Sequence, residues 1–431
     1  MNEPMKKMTH WAIDGSGLSM EADFMKRLLK GTAGPPFQDL AGKTGALFST
    51  ATLNHFIKEE AIHDDYTLSH QEQRSIQTFS SGEQKKALLN HLLSRHPDFL
   101  ILDNPFDMLD AASQSSLRDQ LHLLSEKITL IQIFRRKESI LPFIHHVLQI
   151  KDGTIAFSGT IAAYLQHDSE APPVFSNRMI PPALGDPEPV TDPLISFQDV
   201  SVLYGEKAIV NHISWEIRPG DFWQLVGPNG SGKTTLLTLI TGDNPKAYGQ
   251  NLMLFGRKKG SGESVWDIKK KIGYVTPAMT VLFGGRHTVE SMITAGLYDS
   301  IGLYKKPSSL QKHLAGQWID LIGLTDFRHT WFSDLSEDQQ CMVLIARAMI
   351  KHPPLLILDE PTHGLNDAHV AILTALVNKI GKESRTAIIY VSHRNEKGLF
   401  PRQIFELIPG KNGSEGRCLN PEARSQAAPL L

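Results

Sequence analysis

A glycine-rich run in the C-terminal half of the sequence has the composition of a phosphate-binding loop. It reads GPNGSGKTT over residues 227–235. Glycines let the backbone curl so that successive N–H groups point at one phosphate, and a helix that starts near the lysine adds the positive end of its dipole. Lys233 would reach the β and γ phosphates of a nucleotide, and the Thr234 hydroxyl would bind Mg²⁺. The predicted binding residues are Gly227, Pro228, Asn229, Gly230, Ser231, Gly232, Lys233, Thr234 and Thr235.

Two carboxylates follow an apolar strand further along the chain. The run LLILDE ends in Asp359 and Glu360. Asp359 fits a partner of Mg²⁺, and Glu360 stands where a base could activate the attacking water. His393 follows another apolar run, AIIYVS, and its spacing from Asp359 places it near the γ-phosphate. Tyr204 lies 23 residues before Gly227 and is expected to stack on the base.

The elements that position these residues are predicted to alternate between strand and helix. The apolar runs FWQLVG, NLMLFG, IGYV, LLILD and AIIYVS are separated by helix-like stretches such as TTLLTLI and QQCMVLIARAMIK. Apolar strands joined by helices are typical of a mostly parallel sheet covered on both faces. We therefore expect an α/β fold.

An internal repeat divides the sequence into two related halves. Residues 96–110, HPDFLILDNPFDMLD, agree with residues 352–366, HPPLLILDEPTHGLN, at eight of fifteen positions. Between them, residues 167–193 contain seven prolines, which predicts an extended linker, although a proline-rich surface loop within one domain is the alternative. The predicted organisation is a first module over residues 1–166, the linker, a second module over residues 194–414 and a loose tail over residues 415–431. The first module has less chain before its glycine turn and is predicted to be a trimmed copy.

Composition limits the classes of function. Forty-four basic and 46 acidic residues leave a net charge of −2, so a protein that coats nucleic acid is not expected. Two cysteines, Cys341 and Cys418, cannot form a disulfide framework or a Cys-rich zinc site. The sequence has no apolar run long enough to span a bilayer. These features predict a soluble, cytoplasmic protein; if it acts at the inner membrane, it does so peripherally through a separate membrane subunit.

The motifs together resemble the ATP-binding cassette (ABC) family. The match rests on Tyr204, GPNGSGKTT, LILDE and His393, with FSSGEQ (residues 79–84) and LSEDQQ (residues 335–340) in place of the signature motif. Residues 239–275 resemble the ModF-type tandem ATP-binding proteins, labelled as molybdate-transport or photorepair ATPases. The resemblance implies two P-loop NTPase-type modules in tandem, ATP and Mg²⁺ binding, and ATP hydrolysis.

The resemblance further implies that the two modules of one chain pair head to tail. Each ATP would then lie between the loop of one module and the signature helix of the other. For the second-half loop, the facing module would supply Ser80 and Gly82, with Asp110 in the loop that approaches it. One departure is Pro277, which follows strand IGYV and Thr276 where transporters of the family place a glutamine.

The other composite site departs from the family pattern at several positions. Alignment of residues 11–31 puts Glu21 or Ala22 where the lysine belongs, Asn104 replaces the carboxylate base, and Arg136 or its neighbour replaces the histidine. Glu337, Asp338 and Asn366 would face this site from the second module. Lost lysine and gained acids both disfavour a bound phosphate. We expect the first module to be degenerate, with one competent site per chain.

Three functions are compatible with these features. The first is a soluble ATPase that clamps and releases its two modules. The second is the motor subunit of an importer, molybdate-type by resemblance, which needs a membrane partner. The third is an ATP-gated regulatory protein with negligible turnover.

Overall fold

The computed structural model divides the chain into two compact units, Met1–Ala171 and Pro172–Leu431. It describes residues 8–15, 22–63, 66–69, 74–107, 109–151, 154–167, 178–185, 190–283, 285–393 and 396–420. The division falls inside the predicted linker. Each unit is treated by itself below.

The first unit is built on one six-stranded sheet. Its order is β2-β3-β4-β1-β5-β6, parallel except for the antiparallel edge pair β5–β6. The strands are β1 (Trp11–Asp14), β2 (Gly45–Phe48), β3 (Phe99–Asp103), β4 (Thr129–Phe134), β5 (His146–Lys151) and β6 (Thr154–Thr160). The helices are α1 (Ala22–Leu29), α2 (Thr50–His63), α3 (Ser81–Ser94), α4 (Ala111–Ser125) and α5 (Ile161–His167).

The second unit contains two sheets. One is antiparallel, with order β11-β10-β7-β8, and the other has order β12-β13-β14-β9-β15-β16, parallel except at β15–β16. The strands are β7 (Ile195–Tyr204), β8 (Lys207–Ile217), β9 (Phe222–Val226), β10 (Leu252–Leu254), β11 (Arg257–Lys258), β12 (Ile272–Val275), β13 (Leu355–Asp359), β14 (Ala387–Val391), β15 (Gln403–Ile408) and β16 (Glu415–Leu419). The helices are α6 (Lys233–Thr241), α7 (Val265–Lys270), α8 (Ala278–Leu282), α9 (Val289–Ala295), α10 (Ser309–Leu321), α11 (Glu337–Met349) and α12 (Asp367–Glu383).

The six-stranded sheets of the two units have the same strand order. Asp103 pairs with Ile133 across β3 and β4, as Asp359 pairs with Val391 across β13 and β14. The α/β prediction is confirmed, and so is the relation between the halves. Among its described residues the first unit has no counterpart of the antiparallel sheet, and helix α2 alone stands where the second unit has α8, α9 and α10.

Two details of the sequence-based organisation are wrong. The run NLMLFG is not part of the parallel sheet, because β10 pairs antiparallel with β7. Residues 415–419 are not a loose tail, because they form β16 and pair with β15 through Phe405 and its neighbours. The remaining predicted tail, residues 421–431, lies outside the described residues. Within the predicted linker, Ile180 packs against the core of the second unit.

Burial alternates along β13 and fixes which side chains face which layer. Leu356 and Leu358 enter the core beneath α10, α11 and α12, whereas Leu355 and Ile357 enter the core beneath α6 and the antiparallel sheet. Because side chains alternate with a period of two, Asp359 continues the row of Leu355 and Ile357 toward α6. Buried on both faces, these strands read as continuous apolar runs. No helix among the described residues is long and apolar enough to cross a membrane.

A buried ion pair ties the loop between β11 and α7. Lys259 Nζ lies 3.3 Å from Glu263 Oε1, with side chains 0% and 5% exposed. Gly260 N and Ser261 N donate to the same carboxylate. Burial raises the pKa of Glu263, but the hydrogen bond from the Gly260 N–H and the Lys259 ammonium lower it by more. The net result is a pKa of about 2, compared with an ordinary 4.5.

Glu263→Gln is expected to lower the free energy of unfolding by about 2 kcal/mol at pH 7, the scale of hydrogen bonds to a charged group. Because folding depresses the pKa, the stabilisation is complete above pH 4.5 and is lost as the pH falls toward 2. Denaturant unfolding at pH 7 and pH 3.5 should show the gap to wild type shrinking. A gap that does not depend on pH would contradict the prediction, and Glu216→Gln, in a half-exposed pair, serves as the control.

Candidate functional site

The glycine run of the second unit forms the turn between β9 and α6, at the carboxyl edge of the sheet. Gly232 is the N-cap of α6 with φ +96°, and a Cβ there would lie 2.5 Å from Val210 Cγ1. A Cβ on Gly227 would lie 2.7 Å from Ser231 Oγ. Only glycine fits at these two positions. The first N–H groups of α6, which have no partner inside the helix, therefore open toward the loop.

Lys233 is buried and folds back over its own loop. Its Nζ donates to Gly227 O at 2.7 Å and to Pro228 O at 2.9 Å, and lies 3.4 Å from His393 Nδ1. The ammonium therefore stands at the centre of the curl. Carbonyl oxygens hold it by bonds that phosphate oxygens can replace.

Glu360 and His393 form a contacting pair at the ends of β13 and β14. His393 Nε2 lies within hydrogen-bond distance of Glu360 Oε1. His393 Nδ1 lies 3.4 Å from Lys233 Nζ and 3.3 Å from Gly227 O, and the nitrogen that faces the Glu360 carboxylate, Nε2, is the one that donates to it. Burial raises the pKa of Glu360, but the bond from His393 and the charges of His393 and Lys233 outweigh burial, so this pKa lies below its ordinary value. Glu360 is therefore ionised at neutral pH, as a base must be.

Asp359 lies beside this pair and is held by a residue that the sequence reasoning missed. Tyr274 Oη donates to Asp359 Oδ2 at 3.3 Å. Burial, followed by the charge of Glu360, raises the pKa of Asp359 above its ordinary value. Burial and the carboxylate of Asp359 also raise the pKa of Tyr274, which stays a neutral donor. The sequence signal that could have found Tyr274 was the prediction of IGYV as a strand. In the structure this strand lies next to β13 and pairs Tyr274 with Ile357.

The donor set fits a nucleoside triphosphate with Mg²⁺. Among the described residues, the buried Ser231 hydroxyl in the loop has no hydrogen-bond partner. Thr234 is exposed in the first turn of α6. No cluster of three His, Cys, Asp or Glu side chains in the described ranges forms a metal site by itself. Mg²⁺ commonly takes one or two protein ligands with phosphate oxygens and water, so Thr234 and Asp359 suit it.

Two further positions of the second unit that the sequence singles out are Tyr204 and Pro277. Tyr204, at the end of β7, is 47% exposed, and its hydroxyl accepts from Asn244 Nδ2 at 2.8 Å. Its ring remains accessible for stacking, which stays a prediction. Pro277 is the N-cap of the short helix α8 and makes no side-chain cap bond, so no amide stands there.

The first unit presents Ser80 and Gly82 at the start of α3. Ser80 is exposed and caps the helix, with its Oγ accepting from Glu83 N at 3.3 Å and its N donating to Glu83 Oε2 at 2.7 Å. A Cβ on Gly82 would lie 2.7 Å from Ser113 Oγ, so the helix start packs closely against α4. Asp110 caps α4 by accepting from Ser113 N. These side chains are fixed by their own unit, and their role toward ATP stays a prediction.

The first unit's counterpart of the phosphate loop differs in chemistry. Strand register matches Ile13 to Leu225, since these residues pair with Ile133 and Val391. That register puts Glu21 at the lysine position, outside the described residues, whereas Ala22 is the first residue of α1. Directly after Ile13, the buried carboxylate of Asp14 accepts from Gln149 Nε2 and Tyr164 Oη.

The base position of the first unit is also altered. Asn104 has φ +43°, as Glu360 has φ +50°, but its side-chain amide donates to Asp103 Oδ1 at 3.0 Å. By strand register, the residue of the first unit equivalent to His393 is Arg135, the neighbour of the predicted Arg136. Burial raises the pKa of Asp103, and the charge of Arg135 opposes that rise.

The second unit's signature segment contains an internal hydrogen bond between a carboxylate and an imidazole. Asp338, at the position of Gly82, lies 2.8 Å from His369 Nε2, and His369 stands at the position of Ser113. Burial raises the pKa of Asp338, but His369 and Ser336 lower it more, so the carboxylate is ionised. Glu337 is the first residue of α11 and Asn366 caps α12. An acid thus occupies the helix start where the first unit has glycine.

Comparison with known proteins gives consistent matches. The family model described as ABC transporter matches residues 210–363. The ABC transporter ATP-binding protein ModF of Escherichia coli is 40% identical over 334 residues, which are 75% of this chain and 68% of the relative. An uncharacterised ABC transporter ATP-binding protein of Schizosaccharomyces pombe is 30% identical, covering 77% of this chain and 68% of its own length.

A solved structure supports the fold alone. The model of ribosome-bound archaeal Pelota and ABCE1 matches with a TM-score of 0.62 at 13% identity, covering 96% of this chain and 75% of that one. The phosphate-binding loop, the carboxylates at the end of β13 and the relatives therefore all indicate the same family. The chain belongs to the ABC transporter ATP-binding protein family.

Proposed function

We propose that this protein is an ATPase that binds one MgATP per chain on the loop of its second unit. The observation that carries the proposal is the contact network of Lys233, His393 and Glu360, which joins a phosphate-binding cation to an ionised base. The same network has no counterpart in the first unit's described residues, where Asn104 replaces the base and Arg135 the histidine. On this proposal the protein hydrolyses ATP in the cytoplasm.

The residues of the second unit divide the work of phosphoryl transfer. Lys233 exchanges its loop carbonyls for phosphate oxygens, and the N–H groups at the start of α6 donate to the same phosphates. Thr234 and Asp359 would hold Mg²⁺, which when bound would supply positive charge against the phosphate oxygens. Glu360 accepts a proton from the attacking water, and His393 holds the carboxylate in place and contacts the γ-phosphate.

We further propose that the first unit closes over the γ-phosphate. Ser80 is exposed at the N-terminus of the fourteen-residue helix α3, where a hydroxyl and helix N–H groups favour an anion. Gly82 adds no side chain at that surface. The site is thus composite, with the second unit holding the nucleotide and the first unit completing it.

The reverse pairing is proposed to bind no ATP. It would combine Glu21 or Ala22 in place of a lysine with Glu337 and Asp338 at the facing helix. A carboxylate about 4 Å from a phosphate charge costs about 4 kcal/mol at an effective dielectric of about 20. Asp338, held by His369, cannot turn away without breaking this hydrogen bond.

Counting bound nucleotides tests the proposal. Calorimetric titration of the full chain with a nonhydrolysable ATP analogue and Mg²⁺ should give one site per chain, and phosphate release from ATP should be measurable. Two sites per chain, or no binding, would contradict it. Tight binding without phosphate release would instead identify an ATP-gated regulatory protein.

A motor subunit of an importer is the second candidate. The relatives carry transporter names, and such a motor requires a membrane subunit. Pro277 opposes this candidate, because it replaces an amide expected at the coupling position. Affinity purification from native membranes should then recover no membrane subunit in stoichiometric amount, and recovery of one would favour the importer; molybdate as cargo rests on the resemblance alone.

A further inference from the structure

Tyr274 is the side chain outside the recognised motifs that reaches the strand-end carboxylates. It lies on β12 beside Ile357 of β13, and its Oη is 3.3 Å from Asp359 Oδ2. Tyr274 packs against the core beneath α6, on the same face as Ile357 and Asp359. Its hydroxyl therefore approaches Asp359 from the edge of the sheet, on the side that faces the loop.

The equivalent position of the first unit, which the structure describes, carries no hydroxyl. Leu47 pairs with Ile101 as Tyr274 pairs with Ile357, so Leu47 is the equivalent residue. Asp103, the equivalent of Asp359, receives its hydrogen bond from Asn104 instead. The tyrosine therefore accompanies the unit that keeps Lys233 and Glu360. A purely architectural tyrosine would have no reason to follow those residues.

We propose that Tyr274 is a positioning residue that fixes the carboxylate of Asp359 for Mg²⁺. By donating to Oδ2, the phenol restrains rotation of the carboxylate and leaves Oδ1 to coordinate Mg²⁺ or to accept a hydrogen bond from a water bound to it. The neighbouring Glu360 repels Asp359, so a neutral donor on the opposite side also balances the two acids. This inference rests on the proposed function, since it concerns the same MgATP site.

The test compares nucleotide binding with and without metal. Affinity for a fluorescent ATP analogue is measured by equilibrium titration of the full chain in EDTA and in Mg²⁺. Tyr274→Phe should leave the affinity in EDTA unchanged and reduce the gain from Mg²⁺ by about three- to tenfold, as expected for the loss of one hydrogen bond of ordinary net strength. Tyr298→Phe, which removes a hydroxyl that contacts Gln311, is the matched control and should change neither affinity.

A double variant shows whether Tyr274 acts through Asp359. In an Asp359→Asn background, adding Tyr274→Phe should change the metal dependence no further. An unchanged gain from Mg²⁺ in Tyr274→Phe, or an equal loss of affinity in EDTA and in Mg²⁺, would overturn the inference. If Tyr274→Phe unfolds, Tyr274→Leu takes its place, because leucine is the residue at the equivalent position of the first unit and has no donor. A weaker metal-dependent gain in Tyr274→Leu supports the inference, and an unchanged one overturns it. Wild type that binds no analogue in either condition would instead refute the proposed function.

Discussion

Replacing Glu360 with glutamine is expected to reduce ATP turnover by about 100-fold or more, the usual contribution of a general base. The neutral amide keeps the size and the left-handed backbone of Glu360 but cannot accept a proton from water. Nucleotide affinity should remain, because Lys233 and the loop are unchanged. Steady-state phosphate release and a binding titration on the same preparation separate the two effects.

The equivalent position in the first unit provides the matched control. Asn104→Gly keeps a residue that tolerates φ +43°, and it removes the contact to Asp103. Because this unit is proposed to hold no ATP, turnover should stay within about twofold of wild type. A large loss in Asn104→Gly, or none in Glu360→Gln, would show that the base has been assigned to the wrong unit.

The sequence was sufficient to predict the parts of the site that depend on short spacing. A glycine loop after one strand and carboxylates at the end of another must meet, because the carboxyl ends of parallel strands share one edge of the sheet. Lys233, Glu360 and His393 do lie together for this reason. Fold class followed in the same way from apolar strands separated by helices.

Contacts that depend on the order and register of strands in the sheet could not be predicted from the sequence. Tyr274 and Asp359 are 85 residues apart, and their contact requires knowing that β12 lies next to β13. The same limitation explains the error at residues 415–419. Those residues, EGRCL, are mostly exposed and show no apolar alternation, yet they extend the sheet through backbone bonds to β15, which the side-chain pattern does not reveal.

The repeat gives a comparison that a single module would not. In the first unit Gly82 packs next to Ser113, and at the equivalent positions of the second unit Asp338 contacts His369. Both members of the contact therefore differ between the units. The small pair leaves the position of Gly82 without a carboxylate, although Glu83 follows it, whereas the second unit has the carboxylate of Asp338 at the equivalent position. The loop with lysine and base belongs to the second unit, and the helix start with glycine at this position belongs to the first. That distribution is what a single composite site requires.

Ser80→Arg in the first unit is expected to reduce turnover by about 30-fold or more, because the large side chain would displace the hydroxyl and block approach of α3 to the γ-phosphate. Binding of ATP to the loop around Lys233 should change less than about threefold, since that loop lies in the other unit.

The control is Ser336→Arg, at the equivalent position of the second unit. Both substitutions replace an N-cap serine, so both should lower the melting temperature to a similar degree. Only Ser80→Arg should impair phosphate release, because Ser336 faces a site that is proposed to hold no nucleotide. Equal losses in the two variants would indicate two working sites, and normal turnover in Ser80→Arg would remove the first unit from the catalytic step.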